Sequence, residues 1–209
     1  MELQCYGANC VSLTYKGVRL VVDDNLNDLG GKAVLRTDDI ALFSGAHGVP
    51  SASLKLLADS PGEYEVGDYS IVAVAAQGHM DEASAKKMAT MYKVTAGELS
   101  VLFTGHIYPD VSNAQMEAIG PVDVMVVPVG GMGYTLDAVG ALKLIKEFEP
   151  KIVIPTHYAD KSLGYPVPQQ DLEQALKELS MEPKEPVAKL KLKPTDLTDS
   201  AQLVILEKS

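Results

Sequence analysis

Four histidines stand close behind hydrophobic runs, and imidazole is the side chain that most often binds metal ions at neutral pH. They are the only histidines of the chain: His47, His79, His106 and His157. Each lies within a few residues of the end of a β-type run, and loops at strand ends commonly carry functional side chains on a rigid scaffold. If these strands run in one direction, the imidazoles meet at one rim. Three imidazoles and a water form a known catalytic zinc arrangement.

Spacing alone leaves a second interpretation open, because polar residues favour loops whether or not they form a site. Other chemistries have less support in the sequence. No Ser-His-Asp or Cys-His arrangement has its usual motif context. The glycines of residues 130–133 lack the spacing of a nucleotide-binding loop. The histidines are therefore the best candidates for chemistry.

The composition is that of a globular protein with a sizeable core. The chain has 209 residues, of which 46% are hydrophobic and 22% charged, with a formal net charge of −10. An acidic surface repels phosphate backbones and anionic lipids, so we expect a small-molecule ligand and neither nucleic acid nor membrane as a partner. The first residues do not resemble a secretory signal, and Cys5 and Cys10 form no disulfide framework, so we expect a cytoplasmic protein with free thiols.

The hydrophobic pattern predicts hairpins in the first half and helices that alternate with buried strands in the second. The predicted strands are residues 3–6, 11–15, 18–23, 39–43, 63–66, 69–76, 88–95, 99–104, 122–128, 151–155, 187–192 and 203–207. The predicted helices are residues 51–58, 113–119, 136–148 and 169–179, the third of them with Thr135 as its N-cap. There are no internal repeats. We expect one domain over residues 1–209, with an α/β layered fold.

Five strings carry a resemblance to a known family. They are YGANC at 6–10, RLVVDD at 19–24, PGEYEVGDYSI at 61–71, PVGGMGYTLDA at 128–138 and PKIVIPTHY at 150–158. With these strings the chain resembles the metallo-β-lactamase superfamily, and most closely the branch of metal-dependent hydrolases that includes the L-ascorbate-6-phosphate lactonases. The strings occur in the family's order over nearly the whole chain. The resemblance implies a four-layer αββα sandwich with a metal site at one edge of its two sheets.

The stretch that corresponds to the family's metal-binding loop keeps one ligand. The family loop reads Thr/Ser-His-x-His-x-Asp-His, whereas residues 44–50 read SGAHGVP. Gly45, Val49 and Pro50 stand where the family has His, Asp and His, and only His47 remains. The family's early Gly-His-Ala loop is Gly-Ala-Asn at residues 7–9. The resemblance therefore implies a degenerate metal-binding motif.

The same resemblance assigns roles to the other candidates. His79 lies at or next to a ligand position, His106 takes the place of a bridging Asp, and His157 matches the final histidine of a P-x-H-Y string. Asp23 matches an Asp that orients the metal-binding loop behind the ligands. Two divalent cations need bridging negative charge between them, and a neutral imidazole does not supply it. We therefore expect the second metal ion of the family to be lost.

Two hypotheses follow. In the first, one divalent metal ion, zinc or manganese, is held by His47, His79, His106 and His157. Its bound hydroxide hydrolyses a small ester, lactone or phosphorylated metabolite, and His106 and His157 also carry protons. In the second, the protein holds no metal and is a non-catalytic relative that keeps the scaffold for ligand binding or assembly. Similar proteins self-associate, so a homo-oligomer is expected in both cases.

Overall fold

Two β-sheets packed face to face form the centre of the molecule. The computed structural model describes residues 1–79 and 88–209. Within them the strands are β1 (Glu2–Gly7), β2 (Cys10–Tyr15), β3 (Val18–Val22), β4 (Ile40–Leu42), β5 (Leu56–Ala58), β6 (Gly62–Val66), β7 (Tyr69–Gln77), β8 (Met88–Ala96), β9 (Leu99–Phe103), β10 (Val124–Pro128), β11 (Ile152–Thr156), β12 (Leu190–Lys191) and β13 (Gln202–Leu203). The α-helices are α1 (Asn113–Ile119), α2 (Ala138–Phe148) and α3 (Leu172–Leu179).

Each sheet combines antiparallel hairpins with parallel strands. In the described part of the chain, the first sheet has the order β12-β1-β2-β3-β4-β5 and the second the order β13-β11-β10-β9-β8-β7-β6. In the first sheet β3, β4 and β5 run parallel. In the second, β9, β10, β11 and β13 run parallel. The carboxyl ends of parallel neighbours meet at the same edge of a sheet, so this topology creates the rim that the histidine spacing requires.

The main core lies between the two sheets. Leu13 and Leu20 from the first sheet contribute to it together with Ile71, Phe103 and Ile154 from the second, and all five are almost fully buried. The three helices cover the outer face of the second sheet, where they form another core with β9, β10 and β11. These strands are apolar along their length because both of their faces are covered.

The outer face of the first sheet has a lighter cover. A 3-10 helix, Leu26–Leu29, and a loop that carries Leu163 pack against Cys10 and Val21 there. With the helices on the other side, these layers confirm the predicted α/β sandwich. The longest described helix, α2, has 11 residues, and none of the described helices has the length and apolarity of a membrane span.

Several predicted elements differ in the structure. Helix α3 begins at Leu172 and not at residue 169, and the strands predicted at residues 187–192 and 203–207 are the two-residue strands β12 and β13. The helix predicted at residues 51–58 is wrong, because β5 pairs in parallel with β4 and this pairing outweighs a short helical pattern. Helix α2 begins later than predicted. Its N-cap is Asp137, whose carboxylate accepts a hydrogen bond from the Gly140 N–H at 2.7 Å, and not Thr135.

Candidate functional site

Two of the four histidines meet at the rim of the sandwich. His106 follows β9 and His157 follows β11, and β10 lies between these strands. The two rings are perpendicular, with their centroids 4.7 Å apart. The ring centroid of Tyr134 lies 6.2 Å from that of His106 and 5.7 Å from that of His157. The ring centroid of Tyr165 lies 5.0 Å from that of His157. Two strands of one sheet, with β10 between them, therefore hold the pair together.

A cavity of about 130 Å³ opens beside this pair. It has room for roughly four water molecules or for a small organic molecule. Its wall includes Asp23, Asn25, Asp28, His106, Tyr134 and His157. No lysine or arginine lines it among residues 1–79 and 88–209. The cavity, which Asn9 also lines, therefore combines two imidazoles and a phenol with carboxylates and two amides.

Contacts on several sides fix His157 in place. Its backbone lies in the left-handed region at φ +56°, which is uncommon for a residue other than glycine and is often found at functional sites. Its N–H donates to the carbonyl oxygen of Ala8 at 2.9 Å, which ties the second sheet to the first. Its ring nitrogen Nδ1 lies 3.2 Å from Oε1 of Gln169. The surrounding structure thus determines both its backbone and its ring.

Below the cavity, Asp23 is the centre of a buried hydrogen-bond network. Its Oδ1 accepts from the Ser44 N–H at 2.7 Å, and its Oδ2 accepts from the Ser44 hydroxyl and the Asn9 amide, both at 2.6 Å. The Asn9 oxygen in turn accepts from the Thr156 hydroxyl at 2.7 Å. The network joins the ends of β3 and β4 to the end of β11. It holds the loop after β4 at the rim.

Burial keeps both imidazoles neutral. It lowers the pKa of His106 to about 4, with a further contribution from the nearby His79. It also lowers the pKa of His157 to about 3, with a further contribution from His106. Burial raises the pKa of Asp23, against the opposing effect of its hydrogen bonds to Ser44 and Asn9. At pH 7 the pair therefore brings no positive charge to the cavity.

The structure places the other two histidines differently. His47 does not line the cavity: its ring stacks on Phe43 with centroids 3.9 Å apart, and its Nε2 lies 3.4 Å from the Asp59 carboxylate. The backbone N–H of His79 donates to the His106 carbonyl oxygen at 2.8 Å, and its ring lies 6.3 Å from that of Tyr108. The rim thus brings His79 next to the pair and leaves His47 outside.

The described residues do not bring a set of metal ligands together. Within the described ranges, no three His, Cys, Asp or Glu side chains are placed so that they could hold one. A protein zinc site uses three or four protein ligands, and His106 and His157 provide two. Both carboxylate oxygens of Asp23 already accept hydrogen bonds. The loop after β4 presents Ala46 to the cavity and leaves Val49 97% exposed. The predicted four-histidine set is therefore not assembled.

Sequence reasoning missed several residues of this site: Asn9, Ser44, Tyr134, Thr156 and Gln169. Tyr134 lies inside the string PVGGMGYTLDA, and Asn9 lies inside the loop where the family histidine is absent. Both residues could therefore have been identified as candidates from the sequence. No sequence pattern indicated Gln169, because it contacts His157 from a loop 12 residues further along the chain. Its role depends on tertiary structure alone.

Comparisons with known proteins agree with this fold. Residues 2–157 match the family model described as the β-lactamase superfamily domain. A stretch of 40 residues is 48% identical to a UPF0173 metal-dependent hydrolase from Carboxydothermus hydrogenoformans, and this match spans 19% of the present chain and 17% of that relative.

Solved structures share the fold over nearly the full length. A proposed Zn-dependent hydrolase of the metallo-β-lactamase superfamily from Thermotoga maritima has a TM-score of 0.79 at 22% identity, and the match covers 98% of this chain and 97% of that one. Igni18, a metallo hydrolase from Ignicoccus hospitalis, has a TM-score of 0.63 at 19% identity, with 86% and 90% covered. At these identities the likeness shows the fold alone. Since the family model matches most of the chain, this protein belongs to the metallo-β-lactamase superfamily.

Proposed function

We propose that this protein is a hydrolase-like member of the superfamily that has lost the two-metal centre. We also propose that the cavity beside His106 and His157 binds a small uncharged or cationic molecule without a resident metal ion. One observation carries this proposal: the rim brings two imidazoles together and no third ligand among the described residues joins them.

The loop after β4 supports the loss of the metal centre. Gly45, Val49 and Pro50 provide no ligand where the related loop has two histidines and an aspartate. His47 is held by Phe43 and Asp59, away from the cavity wall. Restoring a metal centre would need several substitutions and a new course for the loop.

The charges of the cavity indicate the class of ligand. Asp23 and Asp28 lie in its wall, and no cationic side chain of the described ranges lies there. Phosphate recognition relies on arginine, lysine or a group of backbone N–H donors. A phosphorylated ligand would therefore meet carboxylates and neutral imidazoles. This favours an uncharged or cationic ligand over the phosphorylated metabolite that the lactonase resemblance suggests.

The chemistry of the pair favours binding over hydrolysis. A general base works best when its pKa lies near the working pH, and burial holds both histidines well below that range. Hydrolysis of an ester or lactone also needs a positive group or a set of donors for the developing oxyanion. The two neutral rings do not supply that charge. We therefore propose that the protein shares the scaffold of the lactonase-like hydrolases but that its function is ligand binding.

A ligand titration tests this function. The side-chain NMR signals of His106 and His157 are followed while acetamide or inorganic phosphate is added, with and without a metal chelator. We expect acetamide to shift both signals whether or not the chelator is present, and phosphate to leave them unchanged. A Tyr134→Phe variant, which keeps the ring and removes the hydroxyl, should weaken the acetamide response. Shifts with phosphate alone, or shifts that the chelator abolishes, would contradict the proposal.

One observation favours a second candidate, a single-metal hydrolase. The backbone bond from His79 to His106 places a third histidine beside the pair, and the named relatives are described as metal-dependent hydrolases. For this function the His79 ring would have to join the other two around an ion. The same titration separates the two candidates, because only the second makes the response depend on metal.

A further inference from the structure

We infer that Gln169 is a positioning residue that holds the neutral His157 ring with its proton on Nδ1. Nε2 then serves the cavity as a hydrogen-bond acceptor. The position of the proton follows from the hydrogen bonds alone. Its consequence for ligand choice rests on the proposed function.

The orientation of the Gln169 amide is set by its own contacts. Its NH₂ group donates to the carbonyl oxygen of Val167 at 3.0 Å and to that of Pro168 at 3.3 Å. Turning the amide over would point its oxygen at two carbonyl oxygens, which carry no proton to donate. Oε1 must therefore face His157 Nδ1, at 3.2 Å. Since that oxygen only accepts, Nδ1 must carry the proton.

Backbone hydrogen bonds on both sides hold the segment that carries Gln169 in place. The Gln170 N–H donates to the Gly130 carbonyl oxygen at 2.8 Å, and the Ala159 N–H donates to the Gln170 carbonyl oxygen at 2.9 Å. Gly130 has a second role, because a Cβ there would clash with the His157 carbonyl oxygen and with Gln169 Oε1. The backbone thus brings Gln169 up to the ring and keeps it there.

A neutral imidazole carries one N–H and one lone pair. With the proton on Nδ1, the lone pair is on Nε2. Gln169 contacts Nδ1 of His157, and His157 is also part of the cavity wall. The Asp28 carboxylate, which also lines the cavity, accepts as well. A ligand of this cavity should therefore present N–H or O–H groups, as amides, alcohols and ammonium ions do.

Long-range proton–nitrogen NMR at pH 7 reports which ring nitrogen carries the proton. We expect His157 of the wild-type protein to be protonated on Nδ1. In Gln169→Leu the ratio of the two tautomers should move toward the Nε2–H form by about five- to tenfold, the ratio expected for one net hydrogen bond. Gln169→Glu should preserve the Nδ1–H form, because a carboxylate is also an acceptor. A packing role alone would not move the tautomer ratio in this pattern.

A matched pair of probes tests the consequence for binding. Acetamide has N–H groups, and N,N-dimethylacetamide has the same carbonyl group without them. We expect wild-type His157 Nε2 to respond to acetamide alone, and the response to weaken in Gln169→Leu. An Nε2–H tautomer in the wild-type protein would overturn the role of Gln169, even if Gln169→Leu fails to fold. An Nδ1–H tautomer with no response to acetamide would uphold that role and overturn the proposed binding function.

Discussion

The imidazole of His157 stands at 90° to that of His106, and their centroids are 4.7 Å apart. The strands that carry them lie on either side of β10 in one sheet, so the separation is set by the strand pairing of the fold. The relationship places two neutral rings, His157 buried and His106 partly buried, in the wall of a small cavity.

Replacing His47 should leave the pair undisturbed. The ring of His47 contacts Phe43 and Asp59 and does not line the cavity. We expect His47→Ala to reduce the free energy of unfolding by up to about 1 kcal/mol, the value of one stacked ring pair. The NMR signals of His106 and His157 should stay in place. His106→Gln serves as the comparison, because it should shift the His157 signal strongly. A His157 shift of similar size in both variants would show that His47 belongs to the site.

Gly105 should not tolerate a side chain. Its φ of +63° lies in the left-handed region, and a Cβ there would clash with the Ser44 side chain, which donates to Asp23. We expect Gly105→Ala to lower the free energy of unfolding by about 2–4 kcal/mol, from backbone strain and overpacking together. Gly45→Ala is the matched control, since no atom lies within 4 Å of its added Cβ. Urea unfolding measures both. Equal midpoints for the two variants would contradict the described geometry.

The hydrogen bond between Thr156 and Asn9 should couple the two sheets. Asn9→Ala leaves the Thr156 hydroxyl without this acceptor and Asp23 with one donor fewer. We expect a loss of about 1–3 kcal/mol for Asn9→Ala and about 1 kcal/mol for Thr156→Val. A double-mutant cycle should give an interaction energy of at least about 0.5 kcal/mol. The exposed Thr198→Val is the control. Additive effects of Asn9→Ala and Thr156→Val would mean that the bond does not contribute.

Acid should destabilise the fold through the histidine pair. In the unfolded chain a histidine has a pKa of about 6.5, whereas burial lowers the pKa to about 4 for His106 and to about 3 for His157. Between pH 6.5 and 4 the unfolded state therefore binds more protons, so the free energy of unfolding falls as the pH falls. The raised pKa of Asp23 acts in the opposite direction, since it favours proton uptake by the folded state.

The measurement for this prediction is the urea midpoint at pH 7.5 and at pH 5. Compared with the wild-type protein, the double variant His106→Gln, His157→Asn should lose less stability between the two values. Asparagine is chosen at position 157 because it tolerates the left-handed backbone found there. An equal loss in both proteins would show that the pair is not buried and neutral.

The strand ends that carry the histidine pair could be predicted from the sequence, because hydrophobic runs and the polar residues that end them are local patterns. The partners of those residues could not. The contact of Thr156 with Asn9 joins residues 147 positions apart, and no local pattern encodes it. His47 shows the same limit. The sequence predicts that His47 lies in a loop, but the orientation of its ring depends on stacking with Phe43 and on the contact with Asp59.

The helix predicted at residues 51–58 shows how tertiary structure decides a short segment. Its apolar residues suit one helical turn as well as a strand, and pairing with β4 settles it as β5. Helix α2 begins two residues later than predicted, because the side chain of Asp137, and not that of Thr135, accepts a hydrogen bond from the first turn. The layered fold itself was predictable, since it depends on many such segments together.

The metal content of the purified chain tests the loss of the metal centre most directly. Protein produced with added zinc and manganese is dialysed without chelator, and the bound metal is determined by elemental mass spectrometry together with the melting temperature before and after chelator. We expect far less than one metal ion per chain and a melting temperature that the chelator does not change, because no ion stabilises the folded state. One ion per chain, lost in His157→Asn and matched by a chelator-sensitive melting temperature, would contradict it.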